Sequence, residues 1–180
     1  MSERPDPEVL KVLAELLGVP DDDALARLHD LQAAQPWLEA AIAEIEALPL
    51  DEWQGEHTRL FISGHPRTAC PPFASAYREG RMSGTVAGDL AGLYGRVGLA
   101  ADSIPADYLG AMLECASYLL ENRGTDEDSR WDAHWHELWD VHTAPWVPRF
   151  AADLQQHSRL ALYRMVAERL GRLFPQPQEV

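Results

Sequence analysis

Residues 56–77 read EHTRLFISGHPRTACPPFASAY, and the rest of the chain is arranged on either side of them. The stretch begins as the end of an amphipathic helix, with Trp53, Leu60 and Phe61 on one stripe. Gly64 and Pro66 then stop the helix, since proline cannot continue it and glycine accepts the left-handed backbone that closes one. From there to about Arg81 the sequence reads as a long loop containing Pro71, Pro72, Phe73 and Tyr77. A loop with so many rigid and apolar residues is expected to pack on helices and shape a groove.

Helical patterns flank this loop on both sides. Asp6-Pro7-Glu8 is a helix start, with Asp as cap and Pro at the first helical position. Val9, Leu10, Leu13, Leu16 and Leu17 form its apolar stripe, and Gly18 and Pro20 end it. Asp21-Asp22-Asp23 opens a second helix by capping, with Leu25, Leu28 and Leu31 facing inward. A third runs from Pro36 through Trp37, Ile42 and Leu48, and a fourth from Leu50 to Phe61. After the loop come helices over Met82–Val97, over Asp107–Leu120 with a stop at Gly124, and, past a charged link at Thr125–Arg130, over Trp131–Leu154. Pro145 and Pro148 must kink or break the last of these. A final helix carries Leu160, Tyr163, Val166, Leu170 and Phe174, followed by a disordered tail at 176–180. No period-two strand and no internal repeat is found. The expected fold is all-α: a single-domain helical bundle of about eight helices spanning 1–180. Its sequence-halves, about 1–80 and 81–175, are joined by the proline-rich loop.

The 180 residues suffice for one domain with a substantial core. Lys and Arg total 15 against 29 Asp and Glu, a net charge of −14. That balance argues against nucleic acid, whose phosphates require clustered cations. It favours encounter with a basic partner, and equally keeps a protein in solution. The two cysteines, Cys70 and Cys115, make neither a disulfide scaffold nor a four-ligand zinc site. The charged, proline-rich start lacks the apolar core of a signal peptide, and no apolar run is long enough to cross a bilayer. A cytoplasmic location without membrane insertion is the default expectation.

Three elements resemble the TorD/DmsD/NarJ-like chaperones, which help mature molybdenum-containing redox enzymes. In the first, Leu60, Phe61, Gly64, Pro66, Pro71, Pro72, Ser75 and Tyr77 match the family pattern. His57 stands where Tyr is frequent, and Ala74 where Glu is frequent. The second, Ile104-Pro105-Ala106-Asp107-Tyr108-Leu109, resembles a Pro-Asp-His-Leu element, with Tyr108 replacing the His. The third runs from His142 to Phe150, where His142, Trp146, Pro148 and Phe150 match and Thr143 departs. The elements occur in the family's order over about two-thirds of the chain.

The residues hint at other chemistry in two places. His136-Glu-Leu-Trp-Asp140 resembles a zinc-protease helix without its second histidine. His136 and Asp140 share a face, whereas His134 and His136 do not. A helical metalloenzyme using His134, His136, Asp140 and His142 is therefore the alternative from another class, and an adaptor without a redox client is a third. Cys70 and His65 lack an orienting group and an oxyanion hole, so Cys70 reads as a packed loop cysteine. The family has been linked to guanine nucleotides, but neither Gly-x-x-x-x-Gly-Lys-Ser nor Gly-x-Gly-x-x-Gly is present. Among the six tryptophans, Trp37, Trp53 and Trp146 read as core. Trp131, Trp135 and Trp139 recur every four residues, as core or as the lining of a peptide groove.

The resemblance implies a chaperone and not an enzyme, needing no cofactor. Its partner would be the catalytic subunit of a molybdopterin oxidoreductase and, for exported clients, a twin-arginine leader. An apolar groove with an acidic rim suits such a leader. By carry-over the groove would be lined by Trp53, Leu60, Phe61, Pro71, Pro72, Ser75, Tyr77, Asp107 and Tyr108, with Asp107 pairing an arginine. Leu60, Phe61 and the prolines serve equally well as structural residues. Gly64, Pro66, His142, Trp146, Pro148 and Phe150 read as structural. The long loop permits domain swapping, so monomer and swapped dimer are both compatible.

Overall fold

The computed structural model describes residues 4–101, 103–123 and 129–175. The Gly124 stop, most of the charged link and the 176–180 tail lie outside them. The helices are α1 (Pro7–Leu17), α2 (Ala24–Ala34), α3 (Glu39–Glu46), α4 (Leu50–His57), α5 (Ala74–Arg78), α6 (Thr85–Arg96), α7 (Leu109–Glu121), α8 (Ser129–His136), α9 (Val147–His157) and α10 (Ala161–Leu173). A short 3₁₀ turn, Pro36–Leu38, precedes α3. Two π-helical segments prolong α4 over Thr58–Ile62 and α8 over Glu137–Thr143. Among the described residues no strand forms, and one isolated antiparallel bridge joins Phe73 to Tyr108.

The architecture is all-α, as the periodicity predicts. Among the described residues ten helices stand where about eight are expected, for two reasons. The loop contains the five-residue α5, too short for its period to register. The pattern over 131–154 is two helices, broken around Pro145 as proline requires, with Pro148 in the first turn of α9. Met82 is not part of the helix after the loop. It is half exposed in a turn where Ser83 has φ 57°, and α6 begins only at Thr85.

The chain forms two compact units that interleave along the sequence. One joins α1 to the stretch from Pro72 to Val147; the other joins Gly18–Pro71 to the chain from Pro148 onward. Each sequence-half thus contributes to both.

In the first unit α1 packs along α7. Leu10 and Leu13 of α1 and Leu109 and Leu113 of α7 are fully buried. Pro7 opens α1 with Asp6 before it, whose Oδ1 accepts the Glu8 N–H at 2.9 Å. The Ser117 hydroxyl of α7 donates to the Pro7 carbonyl at 3.0 Å, and Lys11 pairs with Glu121.

In the second unit α3 packs on α10 and on α2. Of the three leucines expected inward on α2, only Leu28 is fully buried, and Ala24 joins it. Asp21, not Asp23, does the capping work: its side chain accepts the Asp23 N–H at 3.0 Å and meets Arg27 at 2.9 Å. Two glutamates order the start of α10: Glu44 accepts the Ala161 N–H at 2.6 Å, and Glu56 accepts that of Arg159 at 2.7 Å. Trp37 departs from the expected core position. It is half-buried beneath the Arg169 guanidinium, 4.7 Å from its ring centroid.

Candidate functional site: the junction of α5 and α7

The first unit brings the end of the first motif element, from Pro72 to Tyr77, together with the second. Pro72 and Phe73 run antiparallel to Asp107–Leu109: the Ala74 N–H donates to the Asp107 carbonyl at 3.0 Å, and the Leu109 N–H to the Pro72 carbonyl at 2.9 Å. This short ladder gives the proline-rich segment a fixed register on the start of α7. The Asp107 side chain then turns back onto α5. Its Oδ2 accepts the Ser75 N–H at 3.0 Å and the Ser75 hydroxyl at 2.5 Å. Asp107 is 1% exposed and Ser75 fully buried. The carboxylate thereby satisfies an unpaired N–H of the first turn of α5, where negative charge also suits the helix dipole.

Tyr108 lies half-buried beside Phe73, ring centroids 5.7 Å apart. Burial pushes its hydroxyl up to about 12. Its ring also covers Gly110 so closely that a Cβ there would sit 2.3 Å from Cε1. Gly110 is thus required for close approach rather than for a turn, a role that a glycine in a helix pattern does not announce. Gly84 is similar, since a Cβ would strike the Glu79 carboxylate. That carboxylate accepts the N–H groups of Val86 (2.9 Å) and Thr85 (3.0 Å), capping α6 from a distance. These contacts, the Val86 N–H foremost, hold the Glu79 carboxyl below its usual range.

The third element is split. His142 and Trp146 lie in the first unit, where Tyr77 packs on Trp146 at 5.4 Å and the indole N–H donates to the His142 carbonyl at 3.0 Å. His142 Nδ1 lies 3.4 Å from an Arg78 Nη1. Burial first, and the Arg78 charge second, push the His142 imidazole below its ordinary value.

The other expected site residues belong to the second unit. Trp53, Leu60 and Phe61 are buried there, and the Trp53 indole donates to the Tyr163 hydroxyl at 3.1 Å. Phe61 lies 5.3 Å from Tyr163 edge-on and 6.3 Å from Phe150. Pro71 and Pro148 are half-buried, and Pro66, after a cis peptide, is exposed. A Cβ on Gly64 would lie 2.7 Å from the Arg67 carbonyl oxygen, which explains that glycine. The Glu56 carboxyl is pulled both ways. Burial raises it, but the Arg59 guanidinium at 2.7 Å and the Arg159 N–H outweigh this and hold it below the usual range. Glu44, Glu56, Glu79 and Gly110 were missed in the sequence because their partners lie in other segments or are ring faces.

The alternative chemistry finds little support. His136 and Asp140 pair at 2.6 Å on an exposed face, whereas His142 is buried against a cation. Among the described residues no three His, Cys, Asp or Glu side chains gather as a metal site. The Cys70 thiol is fully buried and pushed up to about 12, chiefly by burial, so it is no nucleophile. Of the tryptophan row, Trp135 is buried and Trp131 and Trp139 are half-buried, with Trp135 stacked on Trp139 at 4.8 Å. No helix among the described residues is long and apolar enough to cross a membrane.

Comparison with known proteins gives three findings. The sequence profile described as nitrate reductase delta subunit matches residues 22–152. The chaperone protein YcdY of Escherichia coli strain K12 is 28% identical over 112 residues, 62% of this chain and 55% of that protein. The chain thus matches about half the length of that relative. A crystallised protein of Archaeoglobus fulgidus described as a redox enzyme maturation protein superposes with a TM-score of 0.69 at 25% identity, covering 96% of this chain and 95% of that one.

Proposed function

The chain belongs to the nitrate reductase delta subunit family of redox-enzyme maturation chaperones, and from that premise we propose that it is a cytoplasmic chaperone for the catalytic subunit of a molybdopterin oxidoreductase. It holds the subunit in its cofactor-free state, competent for insertion and assembly, and for an exported client engages the twin-arginine leader. The observation that carries this reading is the span of the family match, 22–152, which includes all of the first two motif elements and the third through Phe150.

The client-contact region in this proposal is the α5–α7 junction: Pro72, Ser75, Tyr77, Asp107 and Tyr108. The chain's net charge of −14 suits a client segment that combines basic and apolar residues. Asp107 has two potential parts in it, pairing a client arginine or positioning α5 through Ser75. Trp53, Leu60, Phe61 and Pro71 remain in the proposed contact set as residues of the second unit.

The test is capture of the tagged chain from its own host grown on an anaerobic electron acceptor, with mass spectrometry of what is bound. A molybdopterin oxidoreductase catalytic subunit supports the reading; its absence under every inducing condition sinks it. Asp107→Ala and Ser75→Ala sort the role of Asp107. Loss of client with Asp107→Ala alone identifies a pairing residue, and equal loss with both identifies a positioning one.

A further inference from the structure

The connection between α9 and α10, in the second unit, sorts its charges by helix end. Carboxylates meet the N–H groups that open α10: Glu56 accepts from Arg159 at 2.7 Å and Glu44 from Ala161 at 2.6 Å. Guanidinium groups meet the carbonyls that close α9: Arg59 donates to that of His157 at 2.6 Å and Arg164 to that of Ser158 at 3.0 Å. Each sign suits the helix end it serves. The loop after Thr58–Ile62 joins the same surface. A Cβ on Gly64 would lie 3.2 Å from the Arg59 carbonyl oxygen and 2.7 Å from that of Arg67, so the Arg67 backbone turns back beside that of Arg59. The Thr68 hydroxyl donates to the Ile62 carbonyl at 3.2 Å and closes the loop.

Capping explains Arg59 and Arg164. It does not explain Arg67 and Arg159, which are exposed and whose guanidinium groups have no hydrogen-bond or ion-pair partner among the described residues. The Arg159 charge acts on Glu56, but that carboxylate is buried and already held by the Arg59 guanidinium and the Arg159 N–H. Asp153, one turn before His157, is half-buried and acts on the Cys70 thiol. Ile62, on the same loop as Arg67, has 58% of its surface exposed. These cations stand against a net charge of −14, which repels a long polyanion such as nucleic acid. A lone phosphate has no use for Ile62. A short polypeptide segment whose carboxylates flank an apolar side chain uses both the arginines and the isoleucine.

We propose that this surface docks an acidic polypeptide segment, with Arg67 and Arg159 pairing its carboxylates and Ile62 taking an apolar side chain between them. This is a different partner chemistry from the basic segment proposed above, and it does not rest on the chaperone reading.

The experiment is amide chemical-shift titration of the full chain with acetyl-Asp-Glu-Leu-Asp-Glu-amide and with its neutral counterpart, acetyl-Asn-Gln-Leu-Asn-Gln-amide. Saturable shifts at Ile62, Arg67, His157 and Arg159 are expected with the acidic peptide and fade as salt is raised. The double variant Arg67→Gln, Arg159→Gln weakens affinity about fivefold or more, and Ile62→Ser weakens it as well. All three side chains are exposed, so these variants fold. Arg172→Gln, which removes an exposed cation of α10 paired with Glu168, is the control and leaves affinity unchanged. Equal binding of the two peptides, or equal weakening by Arg172→Gln, overturns charge recognition at this surface. Tripolyphosphate displacing the peptide, with Ile62→Ser without effect, identifies a plain anion site and overturns the polypeptide partner. Shifts confined to other residues, or none at millimolar peptide, overturn the proposal outright. A captured oxidoreductase without these shifts retires this surface alone and leaves the functional reading standing.

Discussion

Removing the Ser75 hydroxyl tests the tie between the two motif elements. Ser75 and Asp107 are 32 residues apart in sequence and meet through two hydrogen bonds to one carboxylate oxygen. A hydrogen bond to a charged group contributes about 1.5–3 kcal/mol. Ser75→Ala deletes one and leaves the other, so the expected loss is about 2 kcal/mol. Asp107→Ala deletes both and strands two buried donors, for about 3–5 kcal/mol. In the Ser75→Ala background only the N–H bond is left to lose, so the two changes together cost less than their sum by about 1–2 kcal/mol. At 180 residues each kcal/mol corresponds to roughly 2–4 °C in Tm. The assay is urea unfolding of the four proteins of the cycle, followed by circular dichroism. Effects that add to within about 0.5 kcal/mol would refute the contact and release Asp107 for another partner.

Four further outcomes follow from the geometry. Gly110→Ala should destabilise by about 1–3 kcal/mol despite alanine's higher helix propensity, because its Cβ displaces the Tyr108 ring. Gly88→Ala, in α6 with open space around it, should instead stabilise by about 0.5–1 kcal/mol in the same urea unfolding assay. The Glu56 carboxyl is depressed in the fold, so its contribution is present above its unfolded value near pH 4.3 and is lost as pH falls through the lower folded value. Glu56→Gln should therefore flatten the acid limb of a stability-versus-pH curve, and an unchanged limb would count against it. The depressed His142 imidazole acts in the same direction at higher pH. Stability falls as pH drops below about 6.5, because the unfolded chain takes up the proton first, and His142→Gln removes that slope.

The sequence carried the helices better than it carried their ends. Leu10, Leu13, Leu109 and Leu113 recur at helical spacing and are buried as that spacing requires. Local capping was legible too, as with Asp6 and Pro7. The loop shows no helical signal in the sequence because five residues of α5 cannot display a period of 3.6. Met82 misled because an exposed methionine in a turn looks the same as the first residue of a stripe. At the site, the motif residues were visible one by one, but their grouping was not. Asp107 reads as a first-turn acid, and nothing local says that Ser75 is its partner. Glu44 and Glu56 look like surface charges until the start of α10 arrives to be capped, 117 residues after Glu44 and 103 after Glu56. Such pairings are set by tertiary structure and leave no short-range trace.

The pairing of α1 with α7 also governs how the chain emerges during synthesis. Lys11 and its partner Glu121 are separated by 110 residues. At about 5–20 residues per second, the ribosome takes roughly 5–20 s to supply that partner. Throughout that interval the leucine face of α1 has been made and its cover has not, while residues that will belong to the other unit pass by. Vectorial completion of the first unit from the amino end is therefore excluded. Its nascent α1 must wait, and during that wait a member of a chaperone family is itself a candidate client of a chaperone.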